Sequence, residues 1–176
     1  MDTKVSARAR RTGGATVLAL LAAGATAAVA ADRTGLEAGS PRVEPNVRWG
    51  VMPDVALKIQ MGFALAVARA GSVTQCAALF RELDADPVKL LGRTFYYPAA
   101  RNTGNRVCNR DMSAFTQVGS PVTWVCDGFA RLSTEKAALV ILHEALHTAG
   151  LPEQPQDPRA MTSGEINSLV MNRCSP

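Results

Sequence analysis

Hydrophobic and polar positions repeat along this chain with periods that change several times, and the changes mark out its elements. Residues 15–30, ATVLALLAAGATAAVA, are almost wholly apolar. Lys4, Arg8, Arg10 and Arg11 precede them and Ala28-Val29-Ala30 close them, the charged, apolar and small-residue order of a cleaved export signal. The stretch is short and alanine-rich for a spanning helix, which needs about 20 strongly apolar residues. Residues 31–50 have no period and mix Gly, Pro and charge, which predicts a loose N-terminal arm ending at most in a short strand. A helical repeat then runs from Pro53 to Gly71, with Leu57, Met61, Leu65 and Ala68 along one side. Thr74 to Leu83 predicts a second, short helix.

The middle of the chain reads as strands. Gly92 to Ala100, GRTFYYPAA, is aromatic and bounded by Gly and Pro, which suits a strand at a sheet edge. Asn105–Asp111 (NRVCNRD) and Val122–Leu132 (VTWVCDGFARL) are two more, joined by Met112–Pro121, which ends in a turn signal. The strongest pattern follows, from Ser133 to Gly150. Ser133 is a good N-cap, Glu135 favours the positive helix start, and Gly150 suits the position just past the end. Leu139, Val140, Ile141, Leu142 and Leu146 surround the helix axis instead of forming one stripe, so this helix should run through the middle of a domain. A last helix should begin near Thr162 or Ser163. Helices, then strands, then helices give an α+β class, with one small domain over residues 51–176 built on a central helix and a short mixed sheet.

Charge narrows the function. The whole chain is formally +4. Residues 1–30 hold four of its nineteen basic and one of its fifteen acidic residues, so 15 basic and 14 acidic residues remain beyond them. A net near +1 gives no electrostatic footprint for nucleic acid. Four cysteines, Cys76, Cys108, Cys126 and Cys174, all follow the signal segment. An even count in an exported chain predicts two disulfides, and the wide spacings argue against a cysteine zinc site. Of three possible pairings, Cys108 with Cys126 and Cys76 with Cys174 is favoured, because the first two sit in neighbouring candidate strands.

Chemistry concentrates in LHEALHTAGLPE, residues 142–153, which holds both histidines of the chain. Residues i and i+4 share one face of a helix, so His143 and His147 can converge on one ion. Glu144 lies about 100 degrees round the helix, beside the ion, where a carboxylate can take a proton from water. Two histidines falling four apart with Glu after the first is a coincidence of about one in two thousand, small against the usual false-positive rate of a short motif. A catalytic zinc wants three protein ligands and an open position. Glu153, Asp157 and Glu165 are the carboxylates available downstream. Thr162 and Glu165 also have the spacing of a capping box, which accounts for Glu165 without any metal. Gly150 can adopt the left-handed conformation that lets the chain double back and bring Glu153 under the histidines.

This stretch resembles the H-E-x-x-H-x-x-G-x-x-H/D signature of the metzincin zinc endopeptidases, and is most similar to their small snapalysin-type members. The likeness covers residues 133 to about 165. It implies a zincin-like fold, Zn2+ as cofactor, His143 and His147 as ligands, Glu144 as general base and Gly150 at the turn. Glu153 stands where histidine or aspartate is usual, one methylene longer than the latter. The likeness also implies a methionine in a turn beneath the metal, for which Met161 is placed, whereas thermolysin-like zincins would favour Glu165 from a later helix. The expected activity is that of an exported zinc metallopeptidase, secreted or periplasmic, acting on peptide or protein substrates without stable membrane insertion after signal cleavage. The alternative is a secreted, disulfide-stabilised zinc-binding domain with a structural or partner-binding role. A substrate strand is expected along Val122–Leu132. Asp127 is a candidate to orient a ligand histidine, and Tyr96 or Tyr97 to steady an oxyanion.

Overall fold

Helix α1 (Pro53–Ser72) and helix α4 (Thr134–Thr148) build the centre of the molecule. The computed structural model describes residues 43–99, Cys108 and residues 112–175. The expected signal segment and most of the expected N-terminal arm fall outside these residues. Pro53 opens α1 at its first position, and the helix buries Val55, Ile59, Gly62, Phe63, Ala66 and Ala70. The side expected to be apolar faces outward instead: Leu57 is 57% and Met61 45% exposed. Both stripes have helical spacing, but the buried one carries an aromatic and two β-branched side chains. It removes more apolar surface from water, and that decides the rotation. At Gly62 the two helices nearly touch. A Cβ there would lie 2.7 Å from the Cβ of Ala137 in α4, so the close crossing requires glycine opposite alanine.

Val73 is extended and breaks the chain between α1 and helix α2 (Thr74–Arg81), which lie at 87° to each other. A short helix, α3 (Pro87–Leu91), follows, with Asp86 capping it by accepting from Lys89 N at 2.9 Å. The sequence reading had no element there.

The sheet is mixed, with four strands in the order β1-β2-β4-β3. Strand β1 (Asn46–Val47) is the short strand allowed at the end of the N-terminal arm, and it pairs in parallel with β2 (Phe95–Pro98). The folded region therefore begins before residue 51. β2 also pairs in parallel with β4 (Val122–Val125), and β4 pairs antiparallel with β3 (Ala114–Thr116). Two expectations fail here. The GRTFYYPAA strand is interior, and residues 112–121 contain a strand where a connection was expected. Pro98 is tolerated because β1 ends opposite Tyr96. Phe95 N and Ala99 N donate toward β4, so by alternation the missing Pro98 donor points where no strand runs alongside.

Beyond β4 the VTWVCDGFARL stretch turns into a 3-10 segment, Asp127–Arg131. Cys108 is disulfide-bonded to Cys126 and Cys76 to Cys174. The pairing is the favoured one, although neither Cys108 nor Cys126 lies in a strand; the rest of the Asn105–Asp111 candidate strand falls outside the described residues. The second bridge ties α2 to the end of helix α5 (Ser163–Cys174). Two disulfides are compatible with an extracellular location.

Candidate metal centre

Helix α4 delivers the two imidazoles. Ser133 caps its start by accepting from Lys136 N at 3.2 Å. The helix ends in a six-residue reversal: Leu151 N donates to Leu146 O and Gly150 N to His147 O, both at 2.9 Å. Gly150 has φ +105°, a conformation a Cβ would oppose, and the chain turns back there. Glu153 is then fixed by a parallel backbone bridge to Met161, with Gln154 N donating to Met161 O at 2.9 Å. Met161 thus stands directly alongside the third candidate ligand, packed against the core.

His143, His147 and Glu153 form a group whose ligand atoms all lie within 4.8 Å of one another, and they could hold a metal ion. The two Nε2 atoms are 3.1 Å apart. Glu153 Oε2 lies 3.1 Å from His147 Nε2 and 3.9 Å from His143 Nε2. Ligands about 2.05 Å from a tetrahedral ion sit about 3.3 Å from each other, and the three separations bracket that value.

The other ring nitrogens show how a cation could be held between them. His147 Nδ1 lies 2.8 Å from Leu151 O, a carbonyl that can only accept, so Nδ1 carries the hydrogen. His143 Nδ1 lies 2.9 Å from Asn167 Oδ1 and donates to it. Both neutral rings therefore turn Nε2 lone pairs toward each other and toward a carboxylate. Three acceptors meeting in a buried site repel unless a proton or a metal ion sits among them. Burial, then the neighbouring His147, pulls the His143 pKa below its ordinary 6.5, against its bond to Asn167 and the charge of Glu153, which favours the metal-ready neutral form.

Glu144 is 6% exposed and its Oε2 atom is buried without a protein hydrogen-bond partner. Burial pushes its pKa up from 4.5 to about 8; a hydrogen bond with the Thr116 side chain opposes the shift and the Glu153 charge adds to it. Thr116 in β3 is in turn 2.9 Å from the Thr123 hydroxyl of β4, so a pair of hydroxyls from the sheet reaches the carboxyl.

The three residues lie in a cleft of about 710 Å³. Met112 to Val118, around edge strand β3, make one wall; Glu153 to Gln156 with Ser163 and Asn167 make the other. The edge strand at the site is therefore β3, not the Val122–Leu132 stretch, whose strand β4 is paired on both sides. Other candidates separate from the centre. Glu165 accepts from Thr162 N and Oγ1 at 2.7 and 2.8 Å in a complete capping box, which holds its pKa below the usual range. Asp157 accepts from Arg159 N at 2.9 Å within its own turn. Asp127 opens the 3-10 segment after β4, and the Nδ1 partners of the histidines are Asn167 and Leu151. Tyr96 is fully buried, edge-on to Phe63, with its phenol pKa raised by burial and by Glu144. Tyr97 packs on Trp124 across the sheet. Neither tyrosine lines the cleft. Sequence reasoning missed Thr116 and Asn167, since an uncharged polar residue carries no signal until the fold shows what it faces.

No protein-family model, no curated protein and no solved structure matches this chain.

Proposed function

We propose that the protein is an exported zinc-dependent metallopeptidase with a zincin-like centre. Supporting this reading most directly is the convergence of two imidazole Nε2 atoms and one carboxylate, beside a second carboxylate that has a buried, unpartnered oxygen. Two nitrogens and one oxygen suit zinc among the common ions. When bound, zinc supplies Lewis-acid polarisation of a peptide carbonyl and lowers the pKa of water from 15.7 toward about 7.

The chain's own residues supply the rest. His143, His147 and Glu153 are the residues that would hold the ion. The Thr116 side chain engages the Glu144 carboxyl, while Oε2 remains unpartnered. In this role Glu144 accepts the proton of the attacking water and returns it to the departing amine. The hydrogen bond with Thr116 favours the ionised carboxylate, the form that serves as a base. A peptide can add as an extended strand to β3, the sheet edge at the cleft among the described residues, which places its backbone across the cleft wall.

The test is digestion of casein and of a mixed peptide library, with and without a chelator, by wild type and by Glu144→Gln. Cleavage is expected only from the metal-loaded wild type, with the variant reduced by about 10²–10⁴-fold while keeping its zinc. Cleavage by Glu144→Gln at the wild-type rate would contradict the mechanism. Zinc bound without any cleavage would leave a disulfide-stabilised metal-binding domain.

A further inference from the structure

The two histidines are supported in different ways. His147 donates to Leu151 O, four residues along its own chain, so its ring is fixed by the same turn that ends α4. His143 donates to a side chain 24 residues away, Asn167 Oδ1 on α5. We propose that Asn167 is a positioning residue that sets how tightly the centre holds its metal, by fixing the ring and tautomer of His143 from a separate helix. This rests on the metal-binding part of the reading above and not on hydrolysis.

Several features hold Asn167 at this station. The Thr162–Glu165 capping box fixes the start of α5, one turn before it. Ile166 and Val170 anchor the helix in the core, and Cys174 is bonded to Cys76 of α2. Asn167 itself is exposed on the cleft side. Its replacement therefore opens no cavity and leaves α5 anchored. An amide oxygen accepts the Nδ1 hydrogen and keeps Nε2 directed at the ion, but it carries no charge. A carboxylate in its place would make the same bond and raise the basicity of the ring. The centre already concentrates Glu153 and Glu144, and a neutral partner avoids adding a third negative group.

The experiment measures Zn2+ affinity of the purified protein by competition with a chromophoric chelator, and the visible spectrum after Co2+ loading. Wild type, Asn167→Leu and Asn167→Asp are compared. Asn167→Leu should weaken zinc by about 10–100-fold and alter the cobalt spectrum, with the metal-free melting temperature unchanged. Asn167→Asp should restore wild-type affinity or exceed it. Equal affinity in wild type and Asn167→Leu would overturn the proposal. So would an Asp variant as weak as the Leu variant, because the bond to Nδ1 would then not be the operative feature. A wild type that binds no zinc removes the metal reading itself, and that result is read from wild type alone.

Discussion

Helices α1 and α4 pack against each other in the middle of the molecule, yet they bury polar groups to different ends. α1 buries Val55, Ile59, Phe63, Ala66 and Ala70 together with one charged side chain, Arg69, which pairs with Glu135 of α4. The last two turns of α4 bury His143, Glu144 and His147, at 6%, 6% and 3% exposure, alongside Leu142, Ala145 and Leu146. The first arrangement stabilises the fold mainly through apolar area, with Arg69 held across the helix interface by its partner. The second costs stability, because polar atoms lose water and one carboxyl oxygen gains no partner. Buried polar groups occur on both helices, but those of α4 converge with Glu153 on one point that could hold a metal ion. The difference teaches where packing gives way to candidate chemistry: the boundary falls inside α4, between its first half at Gly62 and its last two turns.

The comparison breaks most severely on the α1 side. Phe63→Ala removes a fully buried ring that meets Tyr96 edge-on. It should cost about 3–5 kcal/mol, measured by urea unfolding of the metal-free protein.

On the α4 side the sign reverses. The folded state binds the Glu144 proton more tightly than the unfolded chain does, with the pKa raised from 4.5 to about 8. The stability this contributes is complete below about pH 4.5 and lost as pH rises through about pH 8. His143 acts oppositely, since its lowered pKa costs stability as pH falls below its ordinary 6.5. Above about pH 7 the histidine is neutral in both states, and the slope belongs to Glu144. The metal-free wild type should therefore melt at falling temperature from about pH 7 to about pH 9. Glu144→Gln should flatten that slope and melt higher than wild type at the alkaline end. A steeper slope in the variant would contradict the assignment.

The smallest effect lies at the other end of α4. Ser133→Ala removes the cap on Lys136 N and should cost about 1 kcal/mol. Zinc affinity should stay within about twofold, because the metal centre is three helical turns away.

Local rules explain what was legible in the sequence. The cap, the glycine stop and the three candidate site positions of α4 all follow from nearest-neighbour chemistry, and so do both limits of α1 to within one residue. The inward face of α1 was missed, although the stripe of Val55, Ile59 and Phe63 is the bulkier of the two helically spaced ones and decides the rotation. β3 escaped notice because three residues, Ala-Phe-Thr, are too few to show an alternation. α3 carried a readable signal in Asp86-Pro87, an N-cap followed by proline at the first helical position, that went unused. Within the site, Glu153 could be named from the reversal at Gly150, and the capping box could discount Glu165. Asn167 and Thr116 could not be named, since their importance is a matter of which side chain they meet across the fold.

The most direct measurement is metal content and affinity of the purified protein beside His147→Ala. Wild type should take up one equivalent of zinc, and His147→Ala should bind at least a hundredfold more weakly. The variant also loses the buried ring's bond to Leu151 O, so the metal-free melting temperatures of both proteins are compared to confirm that the variant is folded. A wild type that stays metal-free in excess zinc, or a variant that binds as well as wild type, would contradict the claim that these buried histidines exist to hold an ion.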